Sequence, residues 1–258
     1  MIIDTHAHYD DEAFDKDRAE VLLGLREAGV EAVINVCASP ESLFSTPELV
    51  RKYPFVYGAI GLHPDEVGWF NEERFEELPA LLQQDKILAV GEIGLDYHWN
   101  VETAEVQKEW FVKQIRLADE AKLPVIIHSR DAAKDTLEIV ENEDVGRIGG
   151  VMHCYSYSLE DAVKYTDMGL FLGIGGVVTF KNGKKLKRVV REISLSHLIL
   201  ETDCPYLAPE PFRGRRNNSG FLRHVVQEIA ELKGVSPEEV VEVTTDNARR
   251  LFGIPKQK

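Results

Sequence analysis

The 258-residue chain reads as one (β/α)8 TIM barrel of the metal-dependent hydrolase type, residues 1–258, with an extra C-terminal helix. Three observations predict it. Eight short apolar runs recur along the chain, segments of helical period lie between them, and no linker or abrupt change of composition divides the whole. Several runs are almost continuously hydrophobic, as parallel strands buried on both faces require. A doubly wound open sheet is the second choice. It is weakened because neither a glycine-rich dinucleotide turn nor a P-loop follows any early run.

The first run, Ile2–Thr5, leads into His6-Ala7-His8. Alternation along a strand sends His6 and His8 to one face, about 7 Å apart. Val21, Leu22, Leu25 and Ala28 then form a helical stripe that Gly29 stops. The second run is Ala32–Cys37, after which Ser39-Pro40 predicts a helix with Ser39 as N-cap and Pro40 in its first turn. Phe55–Ile60 is followed by Gly61-Leu62-His63-Pro64, and Ile87–Val90 by Gly91-Glu92. Trp110, Phe111, Gln114, Ile115, Leu117, Ala118 and Ala121 share one side of the longest helix. The runs Pro124–Ile127, Ile148–Met152 and Leu198–Leu200 lead to His128, His153 and Asp203, with Leu170–Ile174 as the seventh. Ser236-Pro237-Glu238-Glu239 is a capping box that starts a last helix, ending near Gly253-Ile254-Pro255.

A hydrophobic content of 44% with 29% charged residues is that of an ordinary soluble protein. No apolar run is long enough to span a bilayer, so no membrane association is expected, and no obligate protein partner is indicated. Three cysteines in no spaced framework point to a reducing compartment, the cytoplasm. The net charge of −14 disfavours a protein that coats DNA, since phosphate neutralisation drives such binding. It leaves room for an enzyme that grips a few phosphates locally.

In a closed barrel the C-terminal strand ends gather on one face, where barrel enzymes hold their active sites. His6, His8, Glu92, His128, His153 and Asp203 would then meet in one cup. Singly, each has a plainer reading, as a loop histidine bonded to backbone or an Asp capping the next helix. Jointly the plain reading fails, because five of the eight histidines end predicted strands. Four imidazoles and two carboxylates exceed the needs of one tetrahedral ion and suit two divalent ions bridged by a carboxylate such as Glu92. A nitrogen and oxygen donor set accepts Zn²⁺, Mn²⁺, Co²⁺ or Mg²⁺. Cys154 and Cys204 directly follow predicted ligands, so alternation turns them away as packing residues. Asp4 shares the parity of the two histidines but lies deeper, as a supporting partner rather than a ligand.

The ordered set Asp4-Thr5-His6-Ala7-His8, Gly61-Leu62-His63-Pro64, Gly91-Glu92-Ile93-Gly94-Leu95-Asp96-Tyr97, His128-Ser129-Arg130, His153-Cys154-Tyr155-Ser156 and Glu201-Thr202-Asp203-Cys204-Pro205 resembles the TatD family. These are metal-dependent deoxyribonucleases of the amidohydrolase superfamily, and the likeness runs on to Asn247-Ala248-Arg249-Arg250-Leu251-Phe252. It implies His6, His8, Glu92 and Asp203 around one ion, with Glu92, His128 and His153 around the second. One departure is Tyr155-Ser156-Tyr157, where many relatives have Phe-Ser-Gly.

The reaction that the resemblance implies is exonuclease-type hydrolysis of phosphodiester bonds at DNA ends or in oligonucleotides, with metal-activated water. Asp203 is the general base, Glu92 the bridging catalytic carboxylate, and His63 a phosphate or leaving-group contact. Arg213, Arg215 and Arg216 lie in a Pro/Gly-rich loop after the eighth run, where barrels often hold phosphate, and Arg130 joins them by strand parity. The basic residues from Lys181 to Arg191 read instead as a solvated helix face. Tyr97, Trp99 or Phe180 would stack on a base, with apolar packing as the simpler role. The alternative function is a small-molecule hydrolase (lactonase, amidase or phosphotriesterase) using the same cup. A non-catalytic metal-binding protein would lack one of the ligands.

Overall fold

The computed structural model describes residues 1–99 and 101–256. Among these residues, eight parallel strands form one sheet in sequence order: β1 Ile2–Ala7, β2 Val30–Val36, β3 Val56–Ile60, β4 Ile87–Asp96, β5 Val125–Arg130, β6 Gly150–Met152, β7 Phe171–Ile174 and β8 Leu198–Leu200. A parallel bridge between Ala7 and Cys204 brings the last strand back to the first, and the sheet closes as a (β/α)8 barrel. The helices between the strands are α1 Arg18–Gly24, α2 Ser42–Lys52, α3 Glu72–Leu82, α4 Ala104–Ala121, α5 Ala133–Asn142, α6 Val145–Ile148, α7 Leu159–Asp167 and α8 Lys184–Glu192. After β8 come α9 Leu222–Lys233 and the additional α10 Pro237–Phe252.

The apolar core has two layers. Ile3, Ala32, Ile34, Ala59, Ala89, Ile126, Val151 and Ile199 form a cluster inside the barrel, joined by Ala248, Phe252 and Ile254 of the C-terminal segment. The larger cluster lies between the strands and the surrounding helices, for example Val33, Ile60 and Val90 against Leu43, Leu78 and Phe111. The extra helix α10 therefore seals the end of the barrel where the strands begin. Thr245 donates to the Met1 carbonyl, and Asn247 donates to the carbonyls of Leu195 and Leu198. With that end plugged, the opposite rim is free to carry chemistry.

Among the described residues, three α-helices open on a side-chain cap, α3 on Asn71, α7 on Ser158 and α10 on Ser236. Ser236 accepts from the Glu239 N–H at 3.1 Å, and Gly253 ends α10 with a left-handed φ of 68°. The predicted start at Ser39-Pro40 is corrected: α2 begins at Ser42. The Ser39 hydroxyl and carbonyl both accept from the Ser42 N–H, so the serine closes a turn ahead of the helix.

The fourth strand is also longer than its apolar run. It continues through Gly91 and Glu92 to Asp96, and its register with β5 shifts between Val90 and Ile93. Such an irregularity re-aims the side chain it carries, and here that side chain is Glu92. Gly94, at φ 143°, makes the continuation possible, since a Cβ there would lie 2.0 Å from the His128 carbonyl oxygen.

Candidate metal centre

The seam between β1 and β8 builds half of the site. The Asp203 N–H donates to the His6 carbonyl at 2.9 Å, and the His8 N–H donates to the Cys204 carbonyl at 2.8 Å. Asp203 lies beyond β8 with a left-handed φ of 59°, which carries its carboxylate over the end of β1. His8 Nε2 is 3.2 Å from Asp203 Oδ1, and His6 Nε2 is 3.2 Å from both His8 Nε2 and Glu92 Oε2. Asp4 holds this seam from below, accepting from the Thr202 hydroxyl and the Ser219 hydroxyl at 2.6 Å each. Its full burial raises its carboxyl to about 7 against those donors.

Glu92 occupies the middle of the cup, 3% exposed. Its Oε1 is 2.7 Å from His128 Nδ1, 3.7 Å from His63 Nε2 and 3.8 Å from His153 Nε2. His153 Nε2 also lies 3.7 Å from Asp203 Oδ1. The six residues expected as ligands thus converge, and His63 joins them. Three groups place ligand atoms within 4.8 Å of one another: His6, His8 and Asp203; His63, Glu92 and His128; and His6, His153 and Glu201.

The back of each imidazole decides what its front can do. His8 Nδ1 is 2.9 Å from the Val36 carbonyl, which can only accept, so one proton sits there and Nε2 is the nitrogen that faces the cup. His128 Nε2 faces Asp96 Oδ2 at 2.9 Å, which leaves Nδ1 for the cup. His63 is the reverse. Its Nδ1 accepts from the Asp65 N–H at 3.2 Å, so its Nε2 carries the proton and presents a donor.

The electrostatics match a cation site. Burial and then the positive charge of His153 lower His6 to about 4, outweighing Glu92. Burial would lower the other imidazoles too, but carboxylates win. Asp203 lifts His8 to about 9, Asp96 and Glu92 lift His128 to about 10, and Glu201 and Glu92 lift His153 to about 9. Burial opposes ionisation of Glu92 and Asp203, yet the surrounding imidazoles hold both carboxyls below their usual range. A donor set that otherwise keeps protons on buried imidazoles fits divalent ions, which would take the place of those protons. In particular, His6 Nε2 and His8 Nε2 need a proton or a cation between them at 3.2 Å.

Around the rim the expected substrate contacts diverge. Arg130 is exposed, its guanidinium 5.4 Å from the exposed ring of Trp99. Arg213 is exposed and lies over Phe180 at 4.3 Å. Arg215 borders a cavity of about 740 Å³ with Asp11, Lys16 and Tyr206. Arg216 is engaged differently, in a two-point pair with Asp17 and a bond to the Ala13 carbonyl that tie its loop to the N-terminal segment. In the basic helix, Leu186, Val189 and Val190 face inward while Lys187 and Arg188 pair with Glu228 and Glu160. Tyr97 donates to Asp135 and Phe180 is buried, so Trp99 is the one of the three predicted stacking rings left open.

Sequence reasoning passed over Asp96 and Glu201, although both stand inside quoted motifs. It also placed Gln114 on one side of the longest helix without giving it a role. Gln114 exchanges two hydrogen bonds with the backbone of Leu62, next to His63. The carbonyl of Gln107 accepts from the Asp96 N–H and its amide donates to the Asp96 carbonyl. The longest helix therefore fixes two rim loops with buried amides. A polar residue on the inward face of a helix was the available signal.

A family model described as TatD related DNase matches residues 3–253. An uncharacterized metal-dependent hydrolase of Bacillus subtilis, YabD, is 43% identical over 98% of this chain and 100% of its own length. The 3'-5' ssDNA/RNA exonuclease TatD of Rahnella is 32% identical over 95% of both chains. The crystal structure of YJJV, a TatD homolog from Escherichia coli, superposes with a TM-score of 0.93 at 31% identity, covering 98% of each chain.

Proposed function

This chain belongs to the TatD-related DNase family of metal-dependent hydrolases, and we propose that it is an exonuclease acting on single-stranded ends of DNA or on oligonucleotides at a two-ion centre. The observation that carries the proposal is the cup itself, four imidazoles and two carboxylates on one barrel rim with Glu92 reaching His6 at 3.2 Å through one oxygen and His128 at 2.7 Å through the other. Relatives named as 3'-5' ssDNA/RNA exonucleases support the substrate class.

His6, His8 and Asp203 would hold one ion, His128 and His153 the other, and Glu92 both. When bound, divalent ions polarise the phosphoryl oxygen and make water acidic enough to attack near neutral pH. The chain's own groups do the rest. Asp203 accepts the proton of the attacking water and returns it to the leaving oxygen as the P–O bond breaks. His63 offers its Nε2–H to the phosphate or to that leaving oxygen. Arg130 and Arg213 draw in the backbone, and the open face of Trp99 receives an unpaired base.

Charge sets the direction of approach. The cavity beside His8, about 480 Å³, is lined by Asp10, Asp11, Glu12 and Glu41. A polyanion is repelled there and favoured on the side of Arg130 and Arg213. No described helix is long and apolar enough to cross a membrane. The three free cysteines, two of them buried, support a reducing compartment such as the cytoplasm.

The test is release of mononucleotides from a single-stranded oligonucleotide by metal-stripped protein reloaded with Mg²⁺, Mn²⁺, Co²⁺ or Zn²⁺. Metal-dependent release is expected. No release with any ion, beside turnover of a lactone or amide panel, would move the chain to the small-molecule reading.

A further inference from the structure

His6 and His153 stack face to face, ring centroids 3.5 Å apart and 19° from parallel. Their Nε2 atoms face Glu92 and their Nδ1 atoms are buried, that of His6 with no hydrogen-bond partner. Glu201, 1% exposed, puts Oε1 3.1 Å from His153 Nδ1. The same oxygen accepts from the Cys154 N–H at 2.6 Å, which sets the carboxylate beside the residue it serves. Glu201 Oε2 has no hydrogen-bond partner.

The seat of this carboxylate is shaped by β7. A Cβ on Gly173 would lie 2.1 Å from Glu201 Oε2. Any side chain there would push the carboxylate out. A buried charge with one oxygen unsatisfied is costly, and a purely structural site would not favour it over an apolar residue.

We infer that Glu201 is a positioning residue of the metal centre. It holds the proton of His153 on Nδ1, so that Nε2 faces the cup as a lone pair, and its carboxylate charge makes that lone pair a stronger donor. Val36 does the same for His8 with a neutral carbonyl. The inference rests on the reading of His153 as a ligand and goes beyond it.

The experiment is titration of the full-length, metal-stripped protein with Co²⁺, followed by visible absorption. Glu201→Gln keeps the volume and an acceptor for Cys154, and removes the charge. It is expected to weaken one Co²⁺ site by about 10–100-fold while the other site and the circular dichroism stay as in the parent chain. His153→Ala separates the two readings. If that variant binds Co²⁺ as the parent does, the ligand reading fails. If His153→Ala weakens binding and Glu201→Gln does not, the inference alone fails. Loss of a whole ion in Glu201→Gln, with the remaining affinities unchanged, would make Glu201 a ligand of its own and also overturn it.

Two further measurements bear on the inference, and the second stands even where Glu201→Gln does not fold. Gly173→Ala should weaken Co²⁺ binding in the parent chain and add nothing in a Glu201→Ala background, where the space is open. Equal losses in both backgrounds would trace the effect to the barrel backbone. Nitrogen-15 spectra of histidine-labelled, Zn²⁺-loaded parent protein should show His153 protonated at Nδ1. An Nε2–H tautomer would overturn the inference without any variant.

Discussion

His8 Nε2 lies 3.2 Å from Asp203 Oδ1 across the seam where the eighth strand returns to the first. The two residues come from opposite ends of the chain, and the backbone pairs on either side of them hold that distance. The site therefore exists only when the barrel is closed.

Asp203→Asn keeps the shape of this contact and removes the proton acceptor. Its kcat on an oligonucleotide is expected to fall by roughly 10²–10⁴-fold, the usual range for a lost general base. Full activity at saturating metal would take Asp203 out of proton transfer.

Removing the metal should make stability depend on pH. In the metal-free fold His8, His128 and His153 stand at about 9, 10 and 9, against 6.5 in the unfolded chain. Groups raised by folding contribute fully below the unfolded value and lose that contribution as pH rises through the folded one. His6, lowered to about 4, has the opposite sign and penalises the fold as pH falls below 6.5. The melting temperature of stripped protein should thus fall from neutrality toward pH 9–10. Metal binding should release protons, and calorimetry in buffers of different ionisation enthalpy measures the number. A flat melting profile would mean that these imidazoles are not charged in the stripped fold.

Trp99→Ala should raise KM for oligonucleotides by about 5–100-fold, as expected for one lost base stack. Hydrolysis of bis-p-nitrophenyl phosphate, which has no base to stack, should keep its kcat/KM. A parallel loss on both substrates would assign the ring to packing around Asp96, whose Oδ1 accepts from the Trp99 N–H at 3.1 Å.

Arg213→Ala and Arg216→Ala should part company. Losing a phosphate contact at Arg213 should reduce the salt slope of single-strand binding by about 0.7. Arg216 is committed to Asp17 and Ala13, so its loss should lower the melting temperature and leave the salt slope alone. The converse pattern would place substrate on Arg216.

Much of the barrel was legible because its physics is local. Each strand announces itself by a run of apolar residues, and Gly253 or Ser236 marks a helix end by its own chemistry. His6, His8, His128 and His153 could be singled out because barrel topology sends every strand's C-terminal end to one rim. Alternation was the weaker guide. Glu92 sits at a register shift inside β4, and Asp203 turns inward through a left-handed φ of 59° beyond β8. Neither event follows from the period of a strand.

What the sequence by itself determined is the order of the elements and the roster of groups that reach the rim, since both follow from nearest neighbours along the chain. The tertiary structure decided which atom of each group faces the cup. Val36 turns His8 one way and Asp65 turns His63 the other. Arg216 is drawn to Asp17, and Glu201 finds its seat because Gly173 leaves room on the next strand. These choices depend on partners distant in sequence, and only packing brings such partners within the few ångströms over which a hydrogen bond acts.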